Sequence, residues 1–128
     1  MQKHTRGRRF GAHGRRDRGQ TAIEYLGWIP ILLLVALAAI QLGIAVYAVQ
    51  QAGTAARAAA RTASIDNGSG VQAGKAAMSD WLADGTDVDV SMAGDEVTAT
   101  AYVEIPSLIP VFAFDRATRS ATMPVTDR

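Results

Sequence analysis

A single carboxylate stands where a long uncharged segment begins, and this junction holds the residues best placed for chemistry. Glu24 is followed by residues 25–49, which include no charged side chain. A carboxylate at the edge of a hydrocarbon layer is costly, so an acid retained there indicates a function. Gly19 lies five positions earlier, and glycine leaves the backbone open to close approach by another molecule. Residues 19–25 are therefore a candidate functional junction.

The remaining reactive side chains do not form a catalytic or metal-binding pattern. The chain has no cysteine, and its only histidines, His4 and His13, precede the junction. No Cys-His, Ser-His or zinc-ligand spacing can then form in the later part of the chain. Four acids could suggest calcium: Asp84, Asp87, Asp89 and Asp95. They lack the spacing of a calcium loop, and alternation places Asp87 and Asp89 on the solvent face of a strand. We predict no enzymatic activity, no cofactor and no metal site.

The uncharged segment has the length of a membrane span. As a helix, residues 25–49 would extend roughly 37 Å at 1.5 Å per residue, and a bilayer's hydrocarbon core is about 30 Å thick. We predict a transmembrane helix over residues 20–49, after a basic leader at 1–19 and before an outer domain at 50–128. Pro30 lies inside this helix, where it is tolerated and predicts a mild kink.

Charge is distributed very unevenly on the two sides of the span. Seven Lys and Arg residues precede Gly19 against Asp17 alone, whereas ten acids and six basic residues follow the span. Positively charged flanks of a span stay cytoplasmic. We therefore predict a single-pass protein of the cytoplasmic membrane, with its N-terminus on the cytoplasmic side and its C-terminal domain on the outer side. Basic arms can bind nucleic acid, but this one abuts a span and has Phe10 as its only aromatic residue, so we expect no such binding. Its composition predicts disorder over residues 1–18.

Two pairs of residues, one within the span and one after it, each have two interpretations. Ala39 and Gly43 are four apart and could form a face for close helix packing, or they could reflect the abundance of alanine. The alanine-dense residues 52–65 should continue the helix. On this extension Arg57 and Arg61 share a face, which favours a solvated surface. A contact with acidic groups of a neighbour or with lipid headgroups is the alternative.

The outer domain is predicted to be α+β. Residues 71–83 have helical spacing, with Met78 and Trp81 expected in the core. Two alternating runs around a turn at residues 93–95 predict an antiparallel hairpin, and residues 117–125 a third strand. The inward side chains of the second run are expected to face the helix that includes Trp81: Val97, Ala99, Ala101 and Val103. A loop is expected at residues 106–110, where two prolines end the strand.

The junction resembles the class III signal of type IV pilin-like proteins. Residues 19–25 read G-Q-T-A-I-E-Y, the G-x-x-x-x-E-Y form found in tight-adherence (Tad, or Flp) pilus systems. Together with Pro30, the Q-x-G of residues 41–43 and the A-A-R-A-A-A-R of residues 55–61, it is similar to the TadE-like minor pilins. The resemblance covers residues 18–65, and later agreement is looser.

The resemblance implies a structural subunit of a pilus. A prepilin peptidase would cut between Gly19 and Gln20, and Glu24, Tyr25 and Pro30 would serve recognition and assembly. Partners would be that peptidase, other pilin-like subunits, Tad assembly membrane proteins and the lipid bilayer. The pilus would serve adhesion, secretion or DNA uptake. The alternative is an uncleaved single-pass membrane protein whose outer domain is a binding module.

Overall fold

A computed structural model describes residues 14–126 of the chain. The helices are α1 (Gly14–Ala63), α2 (Gly70–Ala76) and α3 (Asp80–Ala83), followed by strands β1 (Thr86–Ala93), β2 (Glu96–Val103) and β3 (Ala117–Pro124). The chain forms two compact units, Met1–Ala36 and Leu37–Arg128. A long apolar helix, two short helices and an antiparallel sheet confirm the predicted α+β class.

The described part of the first unit is helical throughout, from Gly14 onward. The prediction of disorder is therefore wrong for residues 14–18, where several arginines, good helix formers, extend the helix toward the N-terminus. The rest of that prediction, with His4 and His13, lies outside the described residues. Within α1 the stretch Arg18–Ala63 is long and apolar enough to cross a membrane. Its apolar side chains between Ile23 and Val35 are mostly exposed.

In the second unit one face of α1 is buried and built from alanine. The fully buried members are Ala48, Ala52, Ala55, Ala56, Ala59 and Ala60. They recur every three or four residues, so they form one stripe along the helix. They belong to the same buried cluster as Ala99, Ala101 and Val103 of β2. Because alanine has a minimal side chain, this face lets a sheet or a helix pack closely against α1.

Glycines bring α2 against the same helix. A side-chain carbon at Gly70 would lie 2.8 Å from Cβ of Ala63 and 2.9 Å from the Ala59 carbonyl oxygen. At Gly74 it would lie 3.0 Å from the Ala55 carbonyl oxygen and 3.1 Å from Cβ of Ala59. Glycine is therefore required at Gly70 by close approach to the α1 backbone. The two helices thus meet through small residues spaced four apart, Gly70 and Gly74 on α2 against Ala55, Ala59 and Ala63 on α1.

The three strands form an antiparallel sheet in the order β1-β2-β3. Val88 pairs with Ala101, and Ala101 pairs with Arg119 on the other side. The turn between β1 and β2 has two residues, Gly94 and Asp95, and Gly94 has φ of 63°. A positive φ at the first turn position alone is typical of a type II′ hairpin turn, which favours glycine there. The hairpin and the third strand are confirmed.

Two details of the predicted helix at residues 71–83 need correction. The segment forms two short helices, α2 and α3, with Met78 between them. Met78 is buried as predicted, but Trp81 is 54% exposed and is not a core residue. Its neighbour Leu82 fills the core in its place, because adjacent residues on a helix point in different directions. The inward side chains of β2 are buried as expected, and Ala99, Ala101 and Val103 share one buried cluster with Leu82 of α3 and the alanine stripe of α1.

Candidate functional site

The junction, residues 19–25, lies within α1. Gly19, Gln20, Glu24 and Tyr25 are helical and exposed. A side-chain carbon at Gly19 would have no heavy atom within 4 Å beyond its own helical turn. The helix surface at Gly19 is thus open to another molecule.

Glu24 has no charged partner among residues 18–126. The ion pair found in that part of the chain joins Arg116 to Asp87, 2.8 Å apart. Arg18 is six residues from Glu24, a separation that places the two on different helix faces. Glu24 and Arg18 are therefore not paired within the chain.

The helix surface beside Glu24 contains a shallow groove. Arg18, Thr21, Ala22 and Tyr25 line it, and its volume is about 420 Å³. Their spacing of three and four residues puts these four residues on one face of the helix. Gln20 and Glu24, four apart, share a different face. The junction thus presents a basic and aromatic groove on one side and a carboxylate on another.

Pro30 lies inside α1, which continues through it without interruption. The mild kink expected there stays a prediction. Ala39 and Gly43 are exposed, and a side-chain carbon at Gly43 would meet nothing within 4 Å. Their predicted face therefore contacts no other element described in this chain, and helix packing through it remains a hypothesis about neighbours.

The charged residues described after the uncharged segment form no metal-binding group. Arg57 and Arg61 are exposed, as predicted for a solvated face. Asp87 accepts the hydrogen bond of Arg116, with the two atoms 2.8 Å apart. Across the described residues, no group of three or more acidic or histidine side chains is placed to hold a metal ion.

Sequence reasoning missed a polar contact inside the uncharged segment. Gln41 is 2% exposed. Its amide nitrogen donates to the Pro106 carbonyl oxygen at 2.9 Å, and its amide oxygen accepts from the Leu108 N–H at 2.8 Å. The signal was available, since a glutamine within a long apolar segment needs a hydrogen-bonding partner.

Helix, junction and domain together define a class: a small α+β protein with one N-terminal helix suited to membrane anchoring. The model of the TadE-like protein family matches residues 19–61. The match begins at Gly19 and ends near the end of α1, so the resemblance found at the junction is confirmed over that stretch. Searches of curated proteins and of solved structures found no match. The TadE-like family is structural and pilus-related, and its match together with the apolar helix supports a Tad-related membrane protein.

Proposed function

We propose that the chain is a TadE-like minor pilin or pseudopilin, a membrane-anchored structural subunit of a Tad/Flp-type pilus. The observation that carries this proposal is the junction: an unpartnered carboxylate five residues after an open glycine, directly before the uncharged segment of α1. The junction, residues 19–25, begins where the TadE-like match begins. The basic leader remains cytoplasmic and the domain formed by the sheet is extracytoplasmic.

Cleavage takes place between Gly19 and Gln20 by a prepilin peptidase. A protease binds its substrate in an extended form, so the helix must open at this point. Glycine in a helix costs about 1 kcal/mol relative to alanine. This low helix propensity lowers the cost of opening at Gly19, and the absence of a side chain admits the peptidase to the backbone.

Assembly uses the carboxylate of Glu24. When helices pack together in a filament, a buried acid needs a partner. Cleavage creates an amine at Gln20, and a neighbouring subunit's amine has the charge and the depth to pair with Glu24. Since Gln20 and Glu24 share a helix face, both groups can meet a neighbour packed on that side. The exposed apolar side chains of the span supply the rest of that contact.

The test is the N-terminal mass of the protein purified from cells that contain the cognate peptidase. Wild type should begin at Gln20. Gly19→Val should retain its leader, because a β-branched side chain hinders approach to the backbone. Gly27→Val is the matched control: Gly27 is another open glycine of the same helix, and this variant should be cut normally.

Glu24→Ala separates cleavage from assembly. This variant should begin at Gln20 like wild type but should be lost from pilus fractions, because the neighbour's amine has no partner. A wild-type protein that retains its first residues, with Gly19→Val and Glu24→Ala both normal in function, would contradict the proposal. That result would favour the uncleaved single-pass protein with an outer binding module.

A further inference from the structure

The loop between β2 and β3 exposes an unusual amount of apolar surface. Residues 106–114, here the apolar loop, read P-S-L-I-P-V-F-A-F and include no charge. Leu108 is 50% exposed, Val111 85% and Phe112 56%. Clustered exposed side chains of this kind mark an interaction surface rather than an ordinary water-facing loop.

The contact with Gln41 fixes the level of this loop along α1. Gln41 lies 17 residues after Glu24, which is about 26 Å along a helix. The hydrocarbon core is about 30 Å thick, so a helix that enters it at Glu24 has Gln41 just inside the far boundary. Hydrogen bonds of 2.8 and 2.9 Å to Gln41 hold Leu108 and Pro106 at that depth.

The backbone of the loop suits this boundary. Ser107 Oγ lies 2.6 Å from the Ile109 carbonyl oxygen and 2.7 Å from that of Phe112. Two prolines have no N–H to satisfy. The N–H groups of Val111 and Ala113 have no protein partner among the described residues. Backbone groups cannot stay unpaired deep in lipid, but water and headgroups reach them at the interface.

Aromatic residues beside the loop lie at the same interface. Tyr47 and Trp81 stack with ring centroids 5.9 Å apart, and Tyr47 is about 35 Å along the helix from Glu24. Trp81 and Phe114 line one open cleft of about 430 Å³. Tyrosine and tryptophan favour the membrane–water boundary, which accounts for the exposure of Trp81.

We propose that the apolar loop is a second membrane anchor, inserted among the acyl chains of the outer leaflet beside α1. The proposal rests on the proposed function in one respect, that α1 crosses the membrane. Leu108, Val111 and Phe112 enter the lipid while the backbone stays at the boundary between acyl chains and headgroups, the depth typical of interfacial segments. The loop thereby holds the sheet against the membrane until the subunit leaves it.

The test uses full-length protein in phosphatidylcholine vesicles whose acyl chains are brominated. Val111→Trp is made with Trp28→Phe and Trp81→Phe, so that a single indole reports the loop. Brominated lipid should remove roughly half of its emission relative to ordinary lipid, because the side chain lies at the acyl boundary. Met92→Trp in the same background is the control: Met92 is 42% exposed at the opposite end of the sheet from the loop, and its emission should not change.

The remaining outcomes distinguish the loop from the span. Trp81→Phe alone leaves Trp28, which reports α1. If Trp28 is quenched by brominated lipid and the Val111→Trp variant is not, the second anchor is wrong and the span stands. If neither is quenched, the span itself fails. An indole at position 111 shielded from both brominated lipid and aqueous acrylamide would show that another protein chain covers the loop, which also overturns the proposal.

Discussion

At the scale of single residues, the smallest side chains decide where elements meet. Gly70 and Gly74 allow α2 to touch the backbone of α1, whereas Gly43 faces open space. The same residue type thus closes a contact in the outer domain and leaves a surface free on the span. Which of the two occurs depends on what lies opposite, so spacing alone does not distinguish them.

Gly70→Ala should destabilise the outer domain. Its new methyl group would lie 2.8 Å from Cβ of Ala63 and 2.9 Å from a backbone oxygen, so α2 must move, at a cost of about 1–3 kcal/mol. Urea unfolding of the full chain in detergent micelles, read by brief proteolysis, measures this loss. Gly68→Ala is the control, because its nearest atom is 3.9 Å away. Equal stability of the two variants would show that α2 does not pack as described.

At the scale of elements, β2 is the centre of the outer domain. It pairs with both neighbouring strands and turns every second side chain toward the core: Val97, Ala99, Ala101 and Val103 are fully buried. The opposite face carries hydroxyl pairs, such as Thr100 with Ser120 at 2.9 Å. A strand with two such different faces tolerates no shift of register by one residue.

Val103→Asp should unfold the outer domain. Val103 is 0% exposed and belongs to the cluster with the α1 alanines. A carboxylate there has no partner, and the cost of about 3 kcal/mol or more is a large part of a small domain's stability. Thr118→Asp on β3 is the control, since Thr118 is exposed and its substitution should leave the domain folded. The thermal melt of the domain in the full chain is the measurement, and an unchanged melt for Val103→Asp would contradict the register.

At the scale of the whole molecule, one chain combines a helix suited to lipid with a domain suited to water. The N-terminal helix exposes apolar side chains over its uncharged segment, while the sheet exposes hydroxyl and charged groups. Basic residues cluster before the span and acids after it. For the proposed membrane-anchored subunit, this division of charge predicts one orientation, with the N-terminus cytoplasmic.

Thiol labelling can test the predicted orientation, because the chain has no cysteine of its own. We expect Thr118→Cys to react with a membrane-impermeant maleimide in intact spheroplasts, since the proposed topology places the domain outside. Thr5→Cys, in cells without the peptidase, should react only after the membrane is permeabilised. The reverse pattern would show that the domain is cytoplasmic.

Much of this protein follows from local sequence alone. The uncharged segment, the alternation in β2 and the Gly94 turn are periodic or steric signals that act over a few residues, and they predict the elements correctly. The junction from Gly19 to Tyr25 is likewise a local motif, and the TadE-like match covers it. The helical state of residues 14–18 was missed, because a basic composition was taken to indicate disorder.

Only the tertiary structure decided which long-range surfaces meet. Trp81 is exposed and Leu82 buried because α3 is a single turn whose orientation depends on the elements around it. Gln41 and the apolar loop are joined across 65 residues of chain, and no local pattern specifies a hydrogen bond at that separation. Local forces act on neighbouring residues and set the elements. Packing and hydrogen bonding between distant segments depend on the whole fold, so they appear only once the elements are placed together.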